Sequence, residues 1–385
     1  MKILQVLDSF YPNLDGPNES MVNISKKLCE QGHTVELLVP KYPEIVEVDG
    51  LKIHRCFSVP SNEDYRAALP QFDRSVKKLI KNGGFDIIHL QSPFILSKYA
   101  LKLGKKYGVP VVFTMRTKFR DEFKNRLKSR LLVKFMMGYI MRCINGCNAV
   151  TAVSGGTVEV LREYGYKKCG DIRVIGNATG MLPLSADIEV TGKIVKEYGL
   201  ENNFTFIYAG RLAEVKNIQL SLSALSIVKK RGYGNFRFLI VGDGAYGKIL
   251  KKTARELGLT ENVIFAGKIT DKKLLASYYA AADILLFPSA FDTFGLVVLE
   301  AAANATPTAA LKGSCASERI EDGVSGFVWE DGAEIWAENI IKILNDPSVA
   351  KRAGQGALKY VYESWDGVSK RYSELYNELL DAEKK

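Results

Sequence analysis

Residues 282–303 read ADILLFPSAFDTFGLVVLEAAA. Asp283–Pro288 is a short apolar run of strand length, and the stretch from Phe294 onward is an apolar helical pattern after a polar turn. A buried strand passing through a short turn into a helix is one strand–helix unit of an α/β sheet. The same unit recurs along the chain. Strands are expected at Lys2–Leu7, Thr34–Pro40, Asp86–Leu90, Val109–Met115, Val150–Ser154 and Ile172–Asn177, with helices such as Ser20–Gln31 and Lys98–Tyr107 between them. A second series follows at Phe204–Ala209, Phe236–Val241, Val263–Ala266, Asp283–Pro288 and Thr306–Leu311.

Strands alternating with helices predict parallel, doubly wound sheets. The stretch ATGMLPLSADIEVTG (178–192) has little regular pattern and separates the two series. The fold class expected is therefore α/β, with two Rossmann-like domains, 1–185 and 186–365, facing across a cleft. A charged C-terminal helix, 366–385, is placed to cross back to the first domain. Open α/β sheets bind ligands at the carboxyl ends of their strands, so the cleft is the expected site.

Composition sets further bounds. The 385 residues are 47% hydrophobic and 25% charged, enough for two domains that each bury a core. No stretch of about 18 uncharged apolar residues is present, so no membrane-spanning helix is expected. The opening MKILQVLDSFYP reads as a strand and turn rather than a signal peptide, which makes cytoplasmic residence the default. Cys29, Cys56, Cys143, Cys147, Cys169 and Cys315 lack zinc-finger or CxxC spacing and read as reduced thiols. Three histidines make a His-rich metal site improbable. The net charge of +10 asks for an anionic partner: phosphate, nucleic acid or a membrane surface.

Three strand ends in the second series carry candidate ligand groups. YAGRLAEVKN (208–217) sends Arg211 and Lys216 around a turn beside a helix start, a guanidinium fork and a point charge suited to a diphosphate. IVGDGA (240–245) places Gly242 and Gly244 in a tight turn that serves either close ligand approach or chain packing. FAGKIT (265–270), with Ile269, repeats the pattern. In the opening stretch, Asp292 and the amides near Phe294, Gly295 and Leu296 face a turn, whereas Glu300 sits among Val, Leu and Ala. A carboxylate there is costly to bury unless a polar group meets it. Both carboxylates are natural acceptors for sugar diols.

Together GRLAEVK, the glycine turns and DTFGLVVLEA resemble the donor site of retaining GT-B glycosyltransferases of family 4. The resemblance runs the whole chain, through YPNLDGPNESMVNISKKLCEQGH, FDIIHLQSPF, VSGGTVEVLREYG and KGSCASERIEDGVSGF in the expected order. It implies that Arg211 and Lys216 hold the diphosphate of a nucleotide sugar, UDP-linked in preference to GDP-linked. Glu300 would take the ribose, Asp292 the transferred hexose and Gly16 the phosphate side of the acceptor domain's loop. Gly242, Gly244, Ile269, Phe294, Gly295 and Leu296 would line the donor. No DxD motif occurs, so Arg and Lys are expected to replace a bridging metal, with no cofactor required.

The chain departs from the family pattern at three places. The acidic pair begins with Asp292 instead of Glu, GNA (176–178) stands for the usual PNG, and Arg116 in FTMRTKF (113–119) stands where relatives commonly carry a His beside the transferred sugar. Arginine cannot act as a base near neutrality. His89 is either structural or acceptor-facing. Arg116, Asp292 and His89 are the candidate catalytic residues.

The segment 116–135, RTKFRDEFKNRLKSRLLVKF, has eight basic residues against Asp121 and Glu122. Phe119, Phe123, Leu127, Leu131 and Phe135 recur every four positions. A basic amphipathic helix reads as a membrane-surface element, or as core packing with a solvated face. Nucleic acid fits less well, because no binding motif accompanies the charge. The resulting expectation is hexose transfer to a lipid or lipid-linked glycan at the inner membrane face, with the protein peripheral there. Two other readings stay open: a transferase on a soluble or protein acceptor, and a catalytically weakened partner subunit.

Overall fold

The computed structural model describes residues 1–11, 16–61, 65–127, 129–168, 170 and 172–383; Lys128 and Cys169 fall outside them. The chain divides into two compact units, Met1–Asn177 with Ser364–Lys385, and Ala178–Glu363.

Unit 1 contains β1 (Lys2–Val6), β2 (Thr34–Pro40), β3 (Lys52–Cys56), β4 (Ser58–Pro60), β5 (Arg66–Ala68), β6 (Ile87–Leu90), β7 (Val111–Met115), β8 (Ala149–Ala152) and β9 (Arg173–Val174). Seven of these form one sheet in the order β3-β2-β1-β6-β7-β8-β9, and β4 pairs with β5 as an antiparallel ribbon. Every neighbour in the large sheet is parallel. The central strands are buried on both faces, which is why they are continuous apolar runs such as VVFTM rather than alternating ones. The chain leaves β1 to one side and returns through β6 on the other, so the topological switch lies between β1 and β6.

Unit 2 repeats the design with β10 (Phe204–Ala209), β11 (Phe236–Val241), β12 (Val263–Gly267), β13 (Ile284–Phe287), β14 (Thr308–Leu311) and β15 (Gly326–Trp329). Their order is β12-β11-β10-β13-β14-β15, again all parallel, and the switch lies between β10 and β13.

Three features differ from the sequence expectation. The segment from 178 belongs with unit 2: Leu184 N donates to Ala303 O at 2.7 Å, and Asp187 N to Ser277 Oγ at 3.2 Å. Asp187 also caps the helix Ile188–Glu197, so regular structure begins inside the stretch read as a linker. Polar edge strand β3 and short β15 carry too little apolar pattern to be read. The basic segment, finally, is two helices, Phe119–Arg126 and Arg130–Ile144, because Leu127 is extended and Ser129 caps a new start by accepting from Leu132 N. The break splits the apolar stripe: Phe119 is buried, whereas Leu131 is 77% and Phe135 66% exposed.

The helix Trp365–Glu383 closes unit 1. Its Tyr376 hydroxyl meets His89 Nδ1 at 2.6 Å, while His89 Nε2 meets Thr114 Oγ1 at 2.7 Å. His89 is fully buried with both ring nitrogens engaged, which gives it a structural part. Burial, and then the Arg116 charge, hold its imidazole well below the ordinary histidine value. The unfolded chain therefore binds a proton that the native state refuses, and stability falls as pH drops below about 6.5. In urea titrations between pH 7 and pH 5, wild type should lose stability more steeply than His89→Gln, by up to about 1.4 kcal/mol per pH unit. Equal slopes would contradict a neutral buried imidazole.

Candidate functional site

In unit 2 the turns after the neighbouring strands β10 and β13 bring the sequence candidates together at the switch point, the place where open sheets bind ligands. Arg211 leaves β10 exposed, and its side chain makes no ion pair among the described residues. The chain then forms a short 3-10 turn, Glu214–Lys216, before the helix Ile218–Lys230. Lys216 Nζ reaches Asp292 Oδ1 at 2.5 Å, with the two side chains 14% and 19% exposed. Asp292 Oδ2 is buried with no hydrogen-bond partner. One oxygen of this carboxylate is thus committed to Lys216 and the other is left to accept.

Glu300 lies on the helix Leu296–Ala303, whose N-cap Gly295 has a φ of 79°. The buried Tyr279 hydroxyl, from the helix Lys272–Ala280, donates to Glu300 Oε2 at 3.1 Å. Burial, and then the Glu300 charge, push the Tyr279 phenol well above its usual value, so it stays a donor. This is the polar group that a carboxylate in an apolar run requires. Phe294 is buried beneath the Arg319 guanidinium, 3.7 Å from its ring centre. Ile269 lies in the loop after β12 and is partly exposed.

Gly242 and Gly244 have a packing reason. A Cβ on Gly242 would stand 1.9 Å from Gly210 O, and one on Gly244 2.3 Å from Leu212 O. Leu212 N also donates to Asp243 O at 2.9 Å. The glycines let the β11 turn lie flush against the Arg211 turn.

Unit 1 has its own concavity at its switch point, a cavity of about 690 Å³ whose walls include Asp8, Pro17, Gln91, Phe94, Phe123 and Tyr139. That volume falls within the range of small-molecule sites. Asp8 Oδ1 accepts from Leu96 N at 2.6 Å, and Oδ2 from Ser92 and Ser97 hydroxyls at 2.7 Å each. Burial raises its carboxyl above the ordinary range against those hydrogen bonds. Gly16 opens the helix Gly16–Glu30 and is exposed. Arg116 is buried; its Nε donates to Gln91 Oε1 at 2.9 Å and its Nη1 to Asn177 Oδ1. Burial lowers its guanidinium, opposed by Tyr372 and Tyr376. Sequence reasoning missed Tyr279, Gln91 and the cavity residues Phe94 and Tyr139; it read Phe119, Phe123 and Phe135 as an apolar stripe and Asn177 as part of the GNA departure, without placing them at this cavity or beside Arg116. Gln91 directly follows β6, a positional signal.

The description "Glycosyl transferases group 1" matches residues 191–360, and "Glycosyltransferase Family 4" matches 14–179. The chain belongs to the family 4 glycosyltransferases of the GT-B fold. Alpha-monoglucosyldiacylglycerol synthase of Streptococcus pneumoniae is 26% identical, covering 99% of this chain and 86% of the relative. D-inositol 3-phosphate glycosyltransferase of Pseudarthrobacter chlorophenolicus is 25% identical over 95% of this chain and 91% of its own. The structure of Anabaena HepE in complex with UDP superposes with a TM-score of 0.77 at 20% identity, covering 98% of this chain and 100% of HepE. This glycosyltransferase therefore keeps the family's two-part architecture.

The Tyr279–Glu300 bond gives a stability test. Tyr279→Phe should cost unit 2 about 1.5–3 kcal/mol in urea denaturation, the range for a hydrogen bond to a charged group. Adding Glu300→Gln to that variant should cost less than it does alone. Additive losses would deny the contact.

Proposed function

We propose that this glycosyltransferase moves a hexose, with retention, from a nucleoside diphosphate sugar to a lipid acceptor at an anionic membrane surface. A UDP-sugar is favoured over a GDP-sugar. The observation that carries the reading is the Lys216–Asp292 pair at the switch point of unit 2, formed between the turn that also bears Arg211 and the turn that leads into the helix bearing Glu300. Arg211 offers a planar fork and Lys216 a point charge to the departing diphosphate, so the positive charge a metal would bring comes from side chains. Glu300, oriented by Tyr279, accepts from the ribose diol. Asp292 Oδ2 accepts from the hexose. Arg116 stays protonated, so the acceptor hydroxyl's proton passes to the departing phosphate oxygen, on the face the leaving group vacates.

Supporting the lipid acceptor, the unit 1 cavity is walled by Phe94, Ile95, Phe119, Phe123, Phe135 and Met136 among others. Leu131, Leu132 and Phe135 are exposed on the helix that borders it. A second concavity beside them is lined by Arg120, Lys124, Arg130 and Lys134. Exposed apolar side chains next to a basic face fit a membrane interface. Relatives point the same way: one from Streptococcus pneumoniae is named for a glucosyldiacylglycerol product, and one from Mycobacterium tuberculosis for a phosphatidylinositol dimannoside. HepE has been seen with UDP-glucose.

Arg211→Ala and Lys216→Ala should each weaken UDP binding by about 1.5–3 kcal/mol by calorimetry; the unfolding midpoint should change little in Arg211→Ala and fall in Lys216→Ala, which strips Asp292 of its partner. Wild-type affinity in both would remove the donor-site assignment, and EDTA should leave transfer intact.

Sedimentation with anionic vesicles should capture the protein, and capture should fade as salt rises. Lys124→Glu with Lys134→Glu should abolish it, and Leu131→Ser with Phe135→Ser should reduce it at low salt. Binding indifferent to lipid charge would contradict the interface.

A further inference from the structure

Arg116 is 7% exposed, and its Nη2 is buried with no hydrogen-bond partner. Its other contacts are neutral: Gln91 Oε1 and Asn177 Oδ1, with the Tyr372 and Tyr376 hydroxyls close by. Among the described residues no carboxylate forms an ion pair with it. Asp8, on the wall of the nearby cavity, is taken up by Leu96, Ser92 and Ser97. A buried guanidinium with no counter-charge is costly, and removing that cost requires an anion from outside the chain.

The surroundings favour an anion at this point. Ser20 Oγ, one turn into the helix Gly16–Glu30, donates to Asn177 Oδ1 at 3.5 Å, so the N-terminal half of a fifteen-residue helix lies beside the Arg116 partner. Gln91 and Thr117, which flank Arg116 in bonding and in sequence, both line the 690 Å³ cavity, as does Pro17 after Gly16. The cavity is thus a largely apolar body, with Gln91 on its wall bonded to the Arg116 guanidinium behind it.

We infer that Arg116 Nη2 is the centre of a binding site in unit 1 for one oxyanion, distinct from the donor's diphosphate, and that an acceptor with an apolar body carries it. This rests on the lipid-acceptor reading above. The chemistry recognised is a phosphate or carboxylate oxygen, and the test separates an acceptor phosphate from a carboxylate on the transferred sugar.

Two measurements decide it, both on the full chain. With UDP saturating unit 2, inorganic phosphate and glycerol phosphate should raise the wild-type Tm and leave that of Arg116→Gln unmoved. Asn177→Asp, which supplies the missing carboxylate, should also be insensitive to phosphate while gaining thermal stability. Transfer is then compared on vesicles of diacylglycerol and of phosphatidylglycerol, both of which carry a free hydroxyl and only the second an oxyanion. Arg116→Gln should raise KM for phosphatidylglycerol about tenfold, with KM for the nucleotide sugar unchanged and Arg116→Lys intermediate. If Arg116→Gln instead erases a preference for UDP-glucuronate over UDP-glucose, the oxyanion site stands and the sugar supplies the anion. No phosphate stabilisation in wild type, together with equal KM values for charged and neutral acceptors in both proteins, would overturn the inference. Absence of transfer to any lipid, with the phosphate effect present, would strike the acceptor reading and leave the oxyanion site standing.

Discussion

In a sheet whose strands all run the same way, every strand ends on the same edge. That constraint brings the turn carrying Arg211 and Lys216 beside the turn carrying Asp292, so that Lys216 meets Asp292 although they lie far apart in sequence. It works only if neighbouring turns lie flush. Gly242 and Gly244 supply that fit, since a Cβ at either would collide with the backbone of Gly210 or Leu212. A substitution there displaces the Arg211 turn.

A second requirement is that each buried polar group be met. Tyr279 meets Glu300, Lys216 meets one oxygen of Asp292, and Tyr376 with Thr114 meets His89. Among the buried atoms left unmet, two belong to charged side chains: Asp292 Oδ2, an acceptor in unit 2, and Arg116 Nη2, a cationic donor in unit 1. Satisfied groups are fixed scaffolding, and unsatisfied buried ones are where a ligand gains most. Asp292 Oδ2 suits a sugar hydroxyl, and Arg116 Nη2 suits an oxyanion.

Much of this was legible in the sequence where local pattern and tertiary environment agree. The strands Thr34–Pro40, Phe204–Ala209 and Phe236–Val241 lie where their apolar runs end. Edge strand Lys52–Cys56 was hidden because its side chains face water and ion-pair with Glu36. The stripe from Phe119 to Phe135 looked like one helix face, yet extended backbone at Leu127 and Ser129 resets the phase: Phe119 is buried, whereas Leu131 and Phe135 are exposed. Glu300 was recognisable as an anomaly, but its partner Tyr279 lies on another helix, and no pattern near Glu300 could name it. The neutral cage around Arg116 is built partly from the C-terminal helix, more than 200 residues away in the chain. Arg116 stood out in the sequence as a departure from the resembled pattern; that no carboxylate among the described residues balances its charge was not visible.

The direct measurement of the account is transfer itself. The full chain would be incubated with a sugar-labelled UDP-hexose and vesicles containing diacylglycerol and an anionic phospholipid. Label would be followed into the lipid phase, and the anomeric linkage of the product read by NMR. The account requires labelled glycolipid whose linkage has the configuration of the donor. Label that stays on the nucleotide or leaves as free sugar, while UDP still binds, would contradict it, and an inverted linkage would contradict the reaction on the vacated face.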